Sequence, residues 1–196
     1  TRRSSDLDAQ TVVKPVGQQN ESTRHALIHQ IGFDVRPGYV APTNSFLEGD
    51  NAQRQKIDRS LSLHLKYAFQ FSKDSYLGRL YPHAYQGIGV SHNTFYNSAE
   101  LGNPVAVYAF QGAPIVRLSS RLSLDYEWNF GASFGWKQYD EHSNWYNDAI
   151  GSKINAYINL GFMLNWQFHP QWRLAAGVDF TVFSSDNLKD WKDEGV

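Results

Sequence analysis

Between residues 121 and 137 the chain alternates apolar and polar side chains without a break. Leu122, Leu124, Tyr126, Trp128, Phe130, Ala132, Phe134 and Trp136 occupy the even positions. Arg121, Ser123, Asp125, Glu127, Asn129, Gly131, Ser133, Gly135 and Lys137 occupy the odd ones. A period of two places successive side chains on opposite sides of a pleated backbone, so this stretch predicts a long strand with one apolar and one polar face. The pattern returns at 60–72, 157–169 and 172–184. In the first, Leu61, Leu63, Leu65, Tyr67, Phe69 and Phe71 oppose Ser62, His64, Lys66 and Gln70. In the second, Ile158, Leu160, Phe162, Leu164, Trp166 and Phe168 oppose Asn159, Gly161, Asn165 and Gln167. In the third, Leu174, Val178, Phe180 and Val182 oppose Arg173, Gly177, Asp179 and Thr181. Residues 23–41 read as a first strand, and 81–95 and 104–118 as Gly-, Ala- and Val-rich ones.

The connections carry a second pattern. Tight turns are expected at 73–75, 119–120 and 170–171, and longer polar loops at 42–57, 96–103 and 138–152. Alternating short and long links in an antiparallel up-and-down meander gather all turns at one end and all loops at the other, as in outer-membrane barrels. Composition agrees: aromatics are 15% and charged residues 19%, yet mean hydropathy is only −0.50. Apolar residues diluted by strict alternation produce that combination. No apolar run approaches the length of a membrane helix.

A soluble calyx with its apolar face turned inward is the competing architecture. Three features favour a transmembrane wall instead. Trp and Tyr stand near strand ends, the polar faces carry Gly, Ser, Asn and opposite charges suited to a narrow lumen, and the strands exceed the usual length of about 5–6 residues. The expected fold is therefore all-β, an antiparallel up-and-down transmembrane barrel. Residues 1–22 are read as an N-terminal extension, expected to be flexible, and 23–196 as the barrel domain. Seven strands are visible where bacterial barrels use even numbers from eight upward. The expectation is that a last strand is missing from this sequence; residues 1–22 or a partner protein are the other ways to close the sheet.

Several function classes fall away. The net charge of −1 gives no reason to expect nucleic-acid binding, and no GxGxxG, Walker or HExxH motif occurs. With no cysteine, no disulfides, thiolate metal sites, cysteine nucleophiles or lipidated N-terminal cysteine are expected. No cofactor is called for. The opening TRRSSDLDAQ lacks an apolar core, so any signal peptide is expected to have been removed already.

The stretches PTNSFLEG (42–49), GRLYPHAYQGIGV (78–90), ELGNPVAVYAFQGAPI (100–115), LSLDYEWNFGASFGW (122–136) and GSKINAYINLGFMLNW (151–166) resemble the acyloxyacyl hydrolase, or lipid A 3-O-deacylase, family in its Bacteroides-type form. The resemblance spans about residues 23–181. It implies an eight-stranded barrel in the bacterial outer membrane that removes an ester-linked acyl chain from lipopolysaccharide. Lipid A and membrane lipids would be its partners, with an outer-membrane protein partner or a homodimer as further ones. The family's catalytic His and Ser lie two residues apart near the outer end of a late strand, in a stretch reading like THFSNGN.

Here that stretch is Thr181, Val182, Phe183, Ser184, Ser185, Asp186 and Asn187. Ser184 matches the nucleophile, Val182 stands at the histidine position and Ser185 at the usual Asn. The third member would fall just past Val196. Val182 and Ser184 share parity with Leu174, Val178 and Phe180, so both are expected on the lipid face at the loop end. A serine needs a base within about 2.6–3.2 Å to take its proton, and valine cannot serve. Poor or absent deacylation is the expectation, and a non-catalytic structural or lipopolysaccharide-binding barrel subunit of an outer-membrane assembly is the alternative.

Other groupings read as structural. His25 and His29 would be ~13 Å apart on a strand. Ser91 and His92 are neighbours and so point to opposite faces. Asp125, Glu127 and Arg121 suggest a lumenal ion network rather than an acid–base pair. Asp140, Glu141 and His142 with Asp148 suggest a solvated loop rather than a cation site. Asp186 reads as the start of a turn.

Overall fold

A computed structural model of the chain describes residues 27–147 and 149–184. It contains one seven-stranded sheet in simple sequence order, each strand antiparallel to the next. The strands are β1 (Leu27–Tyr39), β2 (Arg59–Phe71), β3 (Tyr85–Thr94), β4 (Gly102–Arg117), β5 (Leu122–Trp136), β6 (Ile154–His169) and β7 (Trp172–Ser184). All seven expected strands are present. The expected extension 1–22 and residues 23–26 of the first strand lie outside the described residues, as does the segment after Ser184.

The sheet is curled, and its two faces differ as the alternation requires. Outward residues are apolar and exposed: Ile31 is 82% exposed, Phe33 67%, Ile88 64% and Phe180 69%. Inward residues are polar and covered, among them His64, Asp125, Glu127, Asn129, Ser133, Asn155 and Asn159. The distribution is the reverse of a soluble calyx, whose apolar face would line the interior. Curvature brings the first and last strands together through side chains: Arg36 of β1 reaches Asp179 of β7 and lies 3.4 Å from Asn159 Oδ1 of β6. Among the described residues β1 and β7 share no backbone pairing.

The narrow interior is filled by setting large rings over small residues. Gly89 and Tyr108 are register partners on β3 and β4. A Cβ on Gly89 would lie 2.5 Å from the Tyr108 ring, so the ring occupies the space that glycine leaves. Tyr108 in turn packs on Phe110 and Tyr157, with Ala68, Tyr85 and Ala106 completing the cluster.

A second cluster closes the loop end. In the β1–β2 loop, Asn44 caps the one-turn helix α1 (Ser45–Glu48) by accepting from the Leu47 amide at 3.0 Å. That turn plants Phe46, fully buried, against Ile57, Leu101, Trp136 and Ile150.

Two details depart from the sequence reading. Trp136 was expected on the outward face with the other even residues of β5. It is buried in the loop-end cluster, its indole N–H donating to Ser133 Oγ at 2.8 Å. The cause is Gly135, whose φ of +87° breaks the pleat and turns the next side chain inward. The 73–75 turn is also not a tight hairpin. Residues 72–84 link β2 to β3 through a second one-turn helix, α2 (Tyr76–Leu80), capped by Ser75 accepting from the Gly78 amide at 2.9 Å. By contrast the 95–101 link is short. Connection length therefore separates the two ends less sharply than expected, although the up-and-down order holds.

Candidate functional site

The end of β7 is set by Phe183. Its ring points inward and meets Trp136 at 5.0 Å, Tyr157 at 5.5 Å and Phe95 at 6.1 Å between centroids. Anchoring Phe183 inside forces both of its neighbours outward, because adjacent strand residues face opposite ways. Val182 is 57% exposed, and Ser184 is exposed beside it at the same end as the 137–153 loop. The sequence placed both residues on this face. Ser185, Asp186 and Asn187 lie outside the described residues.

Register defines what surrounds Ser184 on its paired side. Ala156 of β6 stands opposite Ser184, and Ile158 opposite Val182. Together with Ile154, these make an aliphatic patch. Among the described residues of β6 and β7 on this patch no side chain can accept the serine proton. The hydroxyl is presented on an apolar wall that carries no base among its described residues.

No family model, curated protein or solved structure matches this chain. What the site can do rests on its own chemistry.

The interior holds the densest grouping of charge. Lys66 Nζ lies 2.9 and 3.0 Å from the two oxygens of Glu127 and 3.0 Å from Asp34 Oδ2. Arg36 binds Asp34 at 2.8 Å, approaches Glu127 at 3.6 Å and pairs with Asp179. Asn159 Nδ2 donates to Asp179 Oδ2 at 3.1 Å and to Thr181 Oγ1 at 2.8 Å. Lys66 also sits 5.2 Å from the centre of the Phe110 ring. Every carboxylate of this network is engaged by a cation or amide, the condition for tolerating charge away from water. It crosses the interior from β1 and β2 to β5, β6 and β7.

The expected Asp125, Glu127 and Arg121 grouping is only partly assembled. Both carboxylates are buried and face inward, but Glu127 bonds to Lys66 while Asp125 accepts from Ser123 Oγ at 2.6 Å. Arg36, not Arg121, supplies the guanidinium beside Glu127. The sequence showed the polar face of each strand but not which strands meet across the interior.

A Ser–His chain that sequence reasoning did not single out lies in the same interior. His64 Nε2 is 3.0 Å from Ser62 Oγ, and its Nδ1 is 2.8 Å from the Tyr108 hydroxyl. The spacing suits a nucleophile and base. However, His64 is 2% exposed and both ring nitrogens are occupied, so its role is to tie β2 to β4. Its signal in the sequence was the i, i+2 placement on one polar face.

The remaining candidates are separate. His25 lies outside the described residues, while His29 stacks on Tyr67 and shares a 2.7 Å hydrogen bond with its hydroxyl. Ser91 is buried beside Asn93 and His92 is exposed, on opposite faces as expected. Asp140 Oδ1 accepts from the His142 amide and from the amide and hydroxyl of Ser143, at 3.0, 2.8 and 2.9 Å. The Ser143 hydroxyl, then the two amides, hold its carboxyl below the usual carboxylate range. Asp148 lies outside the described residues, and among those described no three potential ligands cluster to hold a metal ion.

Proposed function

We propose that this chain is an outer-membrane barrel of lipid A deacylase lineage in which hydrolysis has been lost at Val182, leaving a wall that contacts lipopolysaccharide without cleaving it. The observation that carries the reading is the outward Val182 and Ser184 pair on an apolar surface at the loop end. A hydroxyl placed there reaches an ester whose lipid stays in the bilayer, whereas one in the interior does not. Exposed apolar area on this scale is itself a mark of a membrane or partner surface. Exposed aromatic side chains at both ends, Tyr39, Tyr96 and Trp145 at one and Tyr81, Trp166 and Trp172 at the other, suit two interfacial girdles.

Insertion in a bilayer requires the edges of β1 and β7 to be satisfied, since unpaired backbone groups in hydrocarbon cost several kcal/mol each. An eighth strand between them, flanked at the usual spacing of about 4.8 Å on each side, leaves a gap that an arginine–aspartate pair can bridge. The Arg36 and Asp179 contact fits that arrangement.

The test is mass spectrometry of lipid A incubated with the protein in detergent micelles, beside Val182→His and Ser184→Ala variants. The parent should leave lipid A intact and the Val182→His variant should release one hydroxyacyl group. Release by the parent that disappears in Ser184→Ala would overturn the loss of hydrolysis. Failure of the parent to retain lipopolysaccharide would overturn the contact role.

A further inference from the structure

At the end opposite Ser184 the interior opens into a small cleft of about 80 Å³. Its lining combines Arg117 of β4, Arg121 of the following turn, Arg173 of β7 and His83 with the inward side chains of Asp125 and Asn165. Three guanidinium groups against one carboxylate leave two net positive charges. The carboxylate is already engaged, Asp125 Oδ1 accepting from Ser123 at 2.6 Å. Arg117 is held in place by donating to His83 Nε2 at 2.6 Å and to the Ser120 carbonyl at 3.4 Å.

The decisive feature is Asn165. It is only 7% exposed, yet its Nδ2 has no hydrogen-bond partner among the described residues. A buried amide donor without an acceptor costs about 1–3 kcal/mol. It lies in the lining of a cleft whose charged groups are three arginines and one carboxylate already engaged, so a negatively charged acceptor suits it.

We propose that this cleft binds a small oxyanion, a phosphate or a carboxylate group, with Asn165 Nδ2 as the buried donor and Arg121 and Arg173 as the charged rim. About 80 Å³ holds one such group or a few waters, since one water needs roughly 10–15 Å³ on the same measure. Arginine suits the ligand because its planar fork matches two oxygens at once. The site is independent of the Ser184 wall and survives or fails separately from it.

The experiment is calorimetric titration of the purified protein, in an uncharged detergent and phosphate-free buffer, with inorganic phosphate in one arm and acetate in the other. Saturable binding in either arm is expected, and the stronger arm names the source. Arg173→Gln should weaken it by about tenfold, the loss of one charge-assisted bond. Asn165→Leu should weaken it as much while leaving every charge in place, and Asn165→Asp should abolish it. Arg59→Gln at the loop end should change nothing. Circular dichroism of each variant establishes that the sheet is intact. Folded Asn165→Leu protein that binds like the parent, or no saturable binding of either anion by the parent, would overturn the proposal.

Discussion

Arg36 on β1 and Asp179 on β7 form an ion pair although the two strands share no backbone hydrogen bonds among the described residues. The pair is the point where the ends of the sheet are tied through the interior, and Arg36 is the hub because it also touches Asp34 and Glu127. Glu127 is 2% exposed at the side chain, so its charge cannot turn to water when a cation is removed.

Arg36→Met should therefore lower stability by about 3 kcal/mol, the lower range for breaking one side of a buried ion pair. Adding Asp179→Asn should restore part of it, because one uncompensated carboxylate is removed. Urea unfolding in detergent micelles, followed by tryptophan fluorescence, reads both values. Equal stability of parent and Arg36→Met would show that the network does not hold the sheet curled.

The two glycines that shape the interior should respond differently to alanine. Gly89→Ala drives a methyl to 2.5 Å from the Tyr108 ring, an overpacking cost of about 1–3 kcal/mol. Gly135→Ala has room, its nearest atom being 3.7 Å away, and costs only the left-handed backbone conformation, about 1–2 kcal/mol. Tyr108→Leu carries its own cost through the lost His64 bond, so the comparison is of increments: Gly89→Ala should cost less in a Tyr108→Leu background than in the parent, and Gly135→Ala should cost the same in both. The same unfolding measurement decides it; a Gly89→Ala increment that Tyr108→Leu does not reduce would refute ring-over-glycine packing.

Asp140 gives a pH dependence with a definite sign. The hydrogen bonds from Ser143 and His142 hold its carboxyl below the ordinary aspartate range, so the loop's Asp140–Ser143 turn is favoured by the charged form. The contribution is present above the ordinary carboxylate value and is lost as pH falls through the lower folded one. The Ser143 amide resonance, followed by NMR in micelles from neutral to acid pH, should shift with a midpoint below 3.8. The shift should vanish in Asp140→Asn. A midpoint above that value would contradict the hydrogen-bonded turn.

How much was legible in the sequence follows from which forces are local. Strand parity is local: the alternation of β5 and β7 put Trp128, Phe130, Val182 and Ser184 on the outward face, where the structure has them. Gly135 stood in an unbroken pattern, and only its backbone angle diverts Trp136 inward. The α2 turn depends on a single Ser75 cap within a short polar stretch, too little to separate from an ordinary turn. The interior network joins Arg36, Lys66, Glu127 and Asp179 from four strands, and the turn-end cleft joins Asn165 to three arginines. Such sites depend on register and curvature, which one strand's pattern does not contain. The sequence also showed Val182 where a base was expected, and no neighbour on the paired side supplies one.

The most direct test of a membrane-embedded apolar wall uses Trp128, which is 43% exposed on the outward face of β5, in a variant whose other tryptophans are phenylalanine. The protein is refolded into vesicles whose acyl chains carry bromine, and its fluorescence is compared with that in unbrominated vesicles. Strong quenching by bromines within the acyl region is predicted, together with weak quenching by aqueous acrylamide. Fluorescence indifferent to the bromines but readily quenched by acrylamide would contradict the account, because the outward face would then stand in water.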